Sequence, residues 1–171
     1  MTDADLLLAV QWTARLSSTT FAAALLASTF AGRRSRTLDI GFLVAHTIHF
    51  SFVVRLALAT GGKGMFPGGK DIADAGGWPA VFAIFAFFYL LAGITLRARQ
   101  LGPRASPRMR VAGQLATAFI GFMFVRTYVP LMARSSWYAL PAALVATAVV
   151  ADLLGSKIRR LTCLALRARR E

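Results

Sequence analysis

The chain has 171 residues, of which 57% are hydrophobic and 16% charged, and it carries a formal net charge of +13. That is a membrane composition. The excess charge does not read as a nucleic-acid footprint, because the basic residues fall between long apolar runs, as topology signals do.

A spanning helix needs about 20 mostly apolar residues to cross about 30 Å of hydrocarbon. Five stretches qualify: 6–31, 38–60, 78–96, 111–132 and 137–154. The first is too polar at "QWTARLSSTT" for a removable signal peptide, and Asp3 and Asp5 stand where a basic n-region would be, so it is expected to be mature structure. The second, "LDIGFLVAHTIHFSFVVRLA", holds both histidines of the chain, His46 and His49, and also Arg55. Between spans two and three, "GGKGMFPGGKDIADAGG" lacks the GK[ST] ending of a phosphate loop and reads as a flexible lid or connector. Span three is dense in phenylalanine at "FAIFAFFYLLAG", which suits lipid or helix packing. In span four, Gly113 and Gly121 mark close helix contacts. Pro130 and Pro141 are expected to bend spans four and five. Residues 155–171 form a basic tail with the single cysteine, Cys163, which has no intrachain partner.

Cytoplasmic connections retain lysine and arginine, so their distribution sets the orientation. Arg33, Arg34 and Arg36 follow span one; Arg97, Arg99, Arg104, Arg108 and Arg110 follow span three; Lys157, Arg159, Arg160, Arg167, Arg169 and Arg170 lie in the tail. Those fourteen face only Lys63, Lys70 and Arg134 on the opposite side. The reading is therefore an all-α integral membrane bundle of five transmembrane helices, N-terminus outside and C-terminus in the cytoplasm. It forms a single domain in a bacterial inner (cytoplasmic) membrane, with anionic lipid headgroups drawn to the tail. Trp12, Trp78, Trp137 and Tyr138 fall at the outward ends of spans, as an aromatic belt does.

Three arginines remain inside spans. Counted from the outer end of its span, Arg15 lies about 14 Å in, Arg55 about 8 Å and Arg126 about 10 Å. An intramembrane charge turns to the bundle interior or a wet cavity, or snorkels to the headgroups. If the three converge, a bound anion supplies the missing counter-charge: a lipid phosphate, a small carboxylic acid or the propionates of a haem. Asp71 and Asp74 folding back from the outer loop are the alternative.

His46 and His49 lie about 12 Å and about 17 Å from the inner start of span two, near the midplane, and the i, i+3 spacing puts them on one face. Neutral imidazole ligates transition metals and haem iron and serves in proton relays. The competing use is hydrogen bonding across helices, for which Thr13, Ser17, Thr20 and Thr117 are available. Met123 on span four is either a soft third ligand or packing.

"RRSRTLDIGFLVAHTIHF" resembles the haem-bearing helix of ferric-reductase-like transmembrane proteins, in which a basic turn precedes an aromatic residue and then a mid-span histidine. The resemblance covers residues 33–52. It implies a small helical bundle that binds b-type haem for electron transfer, with His46 or His49 as an axial ligand. That family sets partner histidines on another helix, whereas this chain has histidine only in span two. The family's bis-histidine scheme within one monomer is thus excluded, leaving a haem shared across a homodimer or one axial histidine. The functional expectation is a haem or metal protein handing electrons to a redox partner, with Arg15, Arg55 and Arg126 beside the cofactor. The alternatives are a binding protein for an anionic lipid or small acid, and a structural subunit of a membrane complex. No GxSxG, Walker or HExxH motif points to an enzyme.

Overall fold

The computed structural model describes residues 2–31, 35–63, 70–132 and 136–168. It is all helical: α1 (Asp3–Ala31), α2 (Arg36–Ala59), α3 (Gly77–Leu101), α4 (Pro107–Met132) and α5 (Ala139–Ala168), with short 3-10 turns at Gly102–Arg104 and Ser136–Tyr138. Most helices outrun their apolar spans, because helix formers such as those of "RARQL" continue the hydrogen-bond ladder after the hydropathy falls. Of the fourteen basic residues counted on one side, Arg33, Arg34, Arg169 and Arg170 lie outside the described residues, as does Arg134 from the other side. So do residues 64–69 of the glycine-rich loop and the side chains of the basic tail, Cys163 included.

Local chemistry sets the helix starts. At α1, Thr2 and Asp5 form a capping box: the Asp5 N–H donates to Thr2 Oγ1 at 3.2 Å, and the carboxylate accepts from the Thr2 N–H and hydroxyl, each at 2.8 Å. The Thr2 backbone donor, with its hydroxyl, holds the Asp5 carboxyl below its ordinary value. A depressed carboxyl pKa stabilises the fold above the unfolded value, and that contribution disappears as the pH falls through the folded one. Thr2→Ala is therefore expected to raise the Asp5 pKa and fray the first turn of α1, measured by NMR titration of the carboxyl. An unmoved titration would remove the box. Ser35 accepts from the Leu38 N–H at 3.3 Å to start α2, and Ser106 accepts from the Met109 N–H at 3.2 Å ahead of Pro107 to start α4. Pro141 falls in the first turn of α5, where its missing N–H has no intrahelical acceptor to lose.

Pairing across helices shows that they alternate in direction. Thr13 meets His49 while Ser17 meets His46, so α1 and α2 are antiparallel. Phe50 packs on Phe85 and Phe42 on Phe88, Ala98 faces Gly113, and Val149 faces Gly121. Tyr138 bonds Gln11 and Thr29 bonds Asp152, so α1 and α5 run parallel. One end of the bundle therefore gathers Trp12, Trp78, Trp137 and Tyr138. Arg36, Arg97, Arg99, Arg104, Arg108 and Arg110 mark the other end.

The core combines Phe21, Leu25, Phe42, Ile120, Phe124 and Val145. Helix α1 packs closely on α2 and α5, and α4 on α3 and α5, while α2 and α3 meet mainly through large rings. Arg36–Ala59, Gly77–Leu101 and Ser136–Gly155 are each long and apolar enough to cross a membrane, yet only 28%, 17% and 28% of their apolar windows are buried. Large apolar side chains, including Leu8, Phe82, Phe87, Leu90, Leu115 and Phe122, face outward. Such a surface suits lipid and would aggregate in water.

The loop after α2 is packed where it is described. Gly62, at φ +77°, turns the chain back so that Ile72 seats against Ala57 and Val81. A Cβ on Gly62 would come within 2.9 Å of Ile72 Cβ. Ile72 and Gly62 thus close the wide α2/α3 seam at the tryptophan end.

Candidate functional site

Helix α2 presents His46 and His49 to α1. The Thr13 hydroxyl reaches back to its own helix, 2.8 Å from the Ala9 carbonyl and 3.1 Å from that of Val10. It also shares a hydrogen bond with His49 Nδ1 at 3.1 Å. Ser17 Oγ and His46 Nδ1 are 3.2 Å apart. Both partners of that bond are buried, Ser17 completely and His46 to 4% exposure. Thr13 and Ser17 are two of the four hydroxyls at the right depth in the sequence. The other two turn elsewhere, Thr20 to carbonyls of its own helix and Thr117 to Thr95 and the Gly113 carbonyl.

His46 Nε2 is buried and, among the described residues, has no hydrogen-bond partner. A buried polar atom left unpaired costs about 1–3 kcal/mol. Around it the walls are aromatic. Phe88 stacks on the imidazole with centroids 3.7 Å apart and planes at 18°, and Phe124 meets it edge-on at 6.4 Å. The two imidazoles are 6.0 Å apart, centroid to centroid. Together with Met123, Thr127, Tyr128, Phe85 and Phe88 they line a cavity of about 170 Å³. Ile84 and Thr127 on its rim are exposed.

A metal ion fits these donors better than a haem does. Two imidazoles sharing one ion through nitrogens at about 2.0–2.1 Å put their ring centroids on the order of 5–6.5 Å apart. The observed spacing lies in that range. The hydroxyls on both Nδ1 atoms stand where the outer partners of a metal-binding histidine would stand. By contrast, a site for even a drug-sized ligand occupies about 300–1,000 Å³. The rings of Phe42, Phe85, Phe88 and Phe124 already occupy the space around His46, so a macrocycle does not fit between the helices as packed. Among the described residues, no cluster of three or more His, Cys, Asp or Glu side chains surrounds the pair. A third protein ligand therefore has to come from another residue type.

The arginines take separate positions. Arg15 lies between two rings, its guanidinium carbon 4.8 Å from the Trp12 centroid and 4.6 Å from that of Tyr138. Cation–π contact with these rings, the Tyr138 hydroxyl itself donating to Gln11 at 3.0 Å, gives the half-buried charge partners within the protein. Arg55 and Arg126 are exposed, and none of the three lines the histidine cavity.

Two groups were not foreseen. Tyr128, fully buried, shares a 2.6 Å hydrogen bond with Ser18 and forms the outer wall of the cavity. Arg99, counted in the sequence as a loop charge, reaches into the bundle and donates to the Ala24 carbonyl at 2.7 Å. It lines a small recess with the buried Asp39. An acidic residue one turn into a helix and an arginine at the end of another are visible in the sequence, but nothing there pairs them. Compared with protein-family models, curated proteins and solved structures, the chain matches none.

Proposed function

We propose that this is an integral membrane protein of five spans, with its N-terminus outside and C-terminus in the cytoplasm, that binds a transition-metal ion through His46 and His49. The alternating helices, the outward apolar side chains and the tryptophans at one end support the topology. Helices α1 and α4 are as long as the apolar three. The lower hydropathy of α1 comes in part from Ser17 and Ser18, which are turned inward. Lysine and arginine at the opposite end support the orientation, and the basic continuation of α5 would rest on anionic headgroups.

The observation that carries the metal reading is His46 Nε2, buried and unpaired on a cavity that His49 shares, with both Nδ1 atoms engaged by α1. A redox-active ion there would equip the bundle to exchange electrons with a partner. The anion-binding alternative draws less from the geometry, since Arg15 is already engaged by rings.

The test is metal content and visible spectrum of the protein purified in mild detergent, before and after metal reconstitution. Wild type is expected to retain near-stoichiometric metal, and His46→Ala and His49→Ala to lose it while still eluting as folded protein. Equal metal in all three, or none in wild type, would falsify the reading.

A further inference from the structure

We infer that the ion this cavity takes is monovalent copper, with the Met123 thioether as the third ligand beside His46 and His49. The inference rests on the metal-binding reading and deepens it. The donors on the cavity wall are two imidazoles, one thioether and the hydroxyls of Thr127 and Tyr128. Among the described residues, no carboxylate or thiolate lines it. All these donors are neutral, so the ion brings its whole charge into an aromatic, low-dielectric interior. The cost of burying a charge rises with its square, so a divalent ion meets about four times the penalty of a monovalent one. Zinc is further disfavoured because its sites are built from thiolate, imidazole and carboxylate, and a thioether is not among its usual ligands.

Monovalent copper matches the site on each count. It is soft, it accepts thioether and imidazole, and Met123 is the one soft donor on the wall. Met123 comes from α4 while both histidines come from α2, so the ligands would approach from two sides of the cavity. Methionine is unbranched and adaptable, and here its half-buried side chain stands among phenylalanines that could have filled the space alone. With both Nδ1 atoms engaged by α1, the Nε2 atoms are the ones left for an ion.

The experiment titrates the purified full chain with copper(I) against a chromogenic copper(I) chelator under anaerobic reduction, and separately with zinc. X-ray absorption at the copper edge follows. Wild type is expected to bind near-stoichiometric copper(I) with a sulfur shell in the absorption spectrum. Met123→Leu, close in volume and expected to fold, should lose that shell and weaken binding by about tenfold or more, at the lower end of what even outer-shell losses cost. Copper bound through nitrogen alone, or zinc bound as tightly as copper(I), overturns the copper–thioether assignment and leaves the histidine metal site standing. Failure of both ions to bind overturns both.

Discussion

Replacing Gly121 by leucine is expected to cost the bundle about 1–3 kcal/mol or more, the range for forcing extra carbon into a packed interior. A Cβ at this position would run into Val149 Cγ2 on α5; Gly121 is buried, and Val149 belongs to the core cluster with Ile120 and Val145. Valine is held near one rotamer in a helix, so its methyl group cannot swing aside. Alanine at 121 sets two effects against each other. It gains about 0.8–1.0 kcal/mol of helix propensity over glycine and loses the close approach of α4 to α5. Val149→Ala removes the obstructing methyls, so Gly121→Ala and Val149→Ala should be strongly coupled. The measurement is a double-mutant cycle on the thermal midpoint in one detergent. The expected pattern is a lower midpoint for Gly121→Ala and recovery in the double variant. A higher midpoint with no coupling would mean that Gly121 is merely a weak helix residue.

The same contact shows which features the sequence made legible. Small residues in an apolar helix indicate where backbones approach, so Gly113 and Gly121 were readable as contacts, although their partners Ala98 and Val149 were not. The five helices follow from hydropathy and breakers, and their ends shift only because helix propensity outlasts apolar character. The site was half legible. Two histidines three residues apart must share a face, and hydroxyls at equal depth on α1 were the natural partners. The Phe88 stack was hidden, because α3 is apolar nearly all round and its sequence has no polar face to reveal which phenylalanines turn inward. For the same reason Met123 could not be placed on the cavity wall rather than against lipid. The arginines misdirect a reading by depth alone: Arg15 is accommodated by Trp12 from its own helix and Tyr138 from a distant turn.

The second large effect concerns what His46 costs the fold. If the imidazole serves only to tie α2 to α1, removing it together with Ser17 should loosen the bundle. If it is kept for a ligand, the fold carries an unpaired buried Nε2 worth about 1–3 kcal/mol, and removing it should tighten the bundle. His46→Leu alone is ambiguous, since it strands the buried Ser17 hydroxyl. Replacing both partners by apolar groups avoids that penalty. The His46→Leu/Ser17→Ala variant is therefore expected to equal or exceed wild type in thermal midpoint in metal-free detergent solution, and to have lost metal binding. Adding metal should raise the midpoint of wild type and leave the double variant unmoved, because a ligand stabilises only the state that binds it. A double variant clearly less stable than metal-free wild type would identify the Ser17–His46 bond as structural glue. A gain in stability coupled to loss of binding is the trade-off expected where a fold gives up packing to hold a reactive donor.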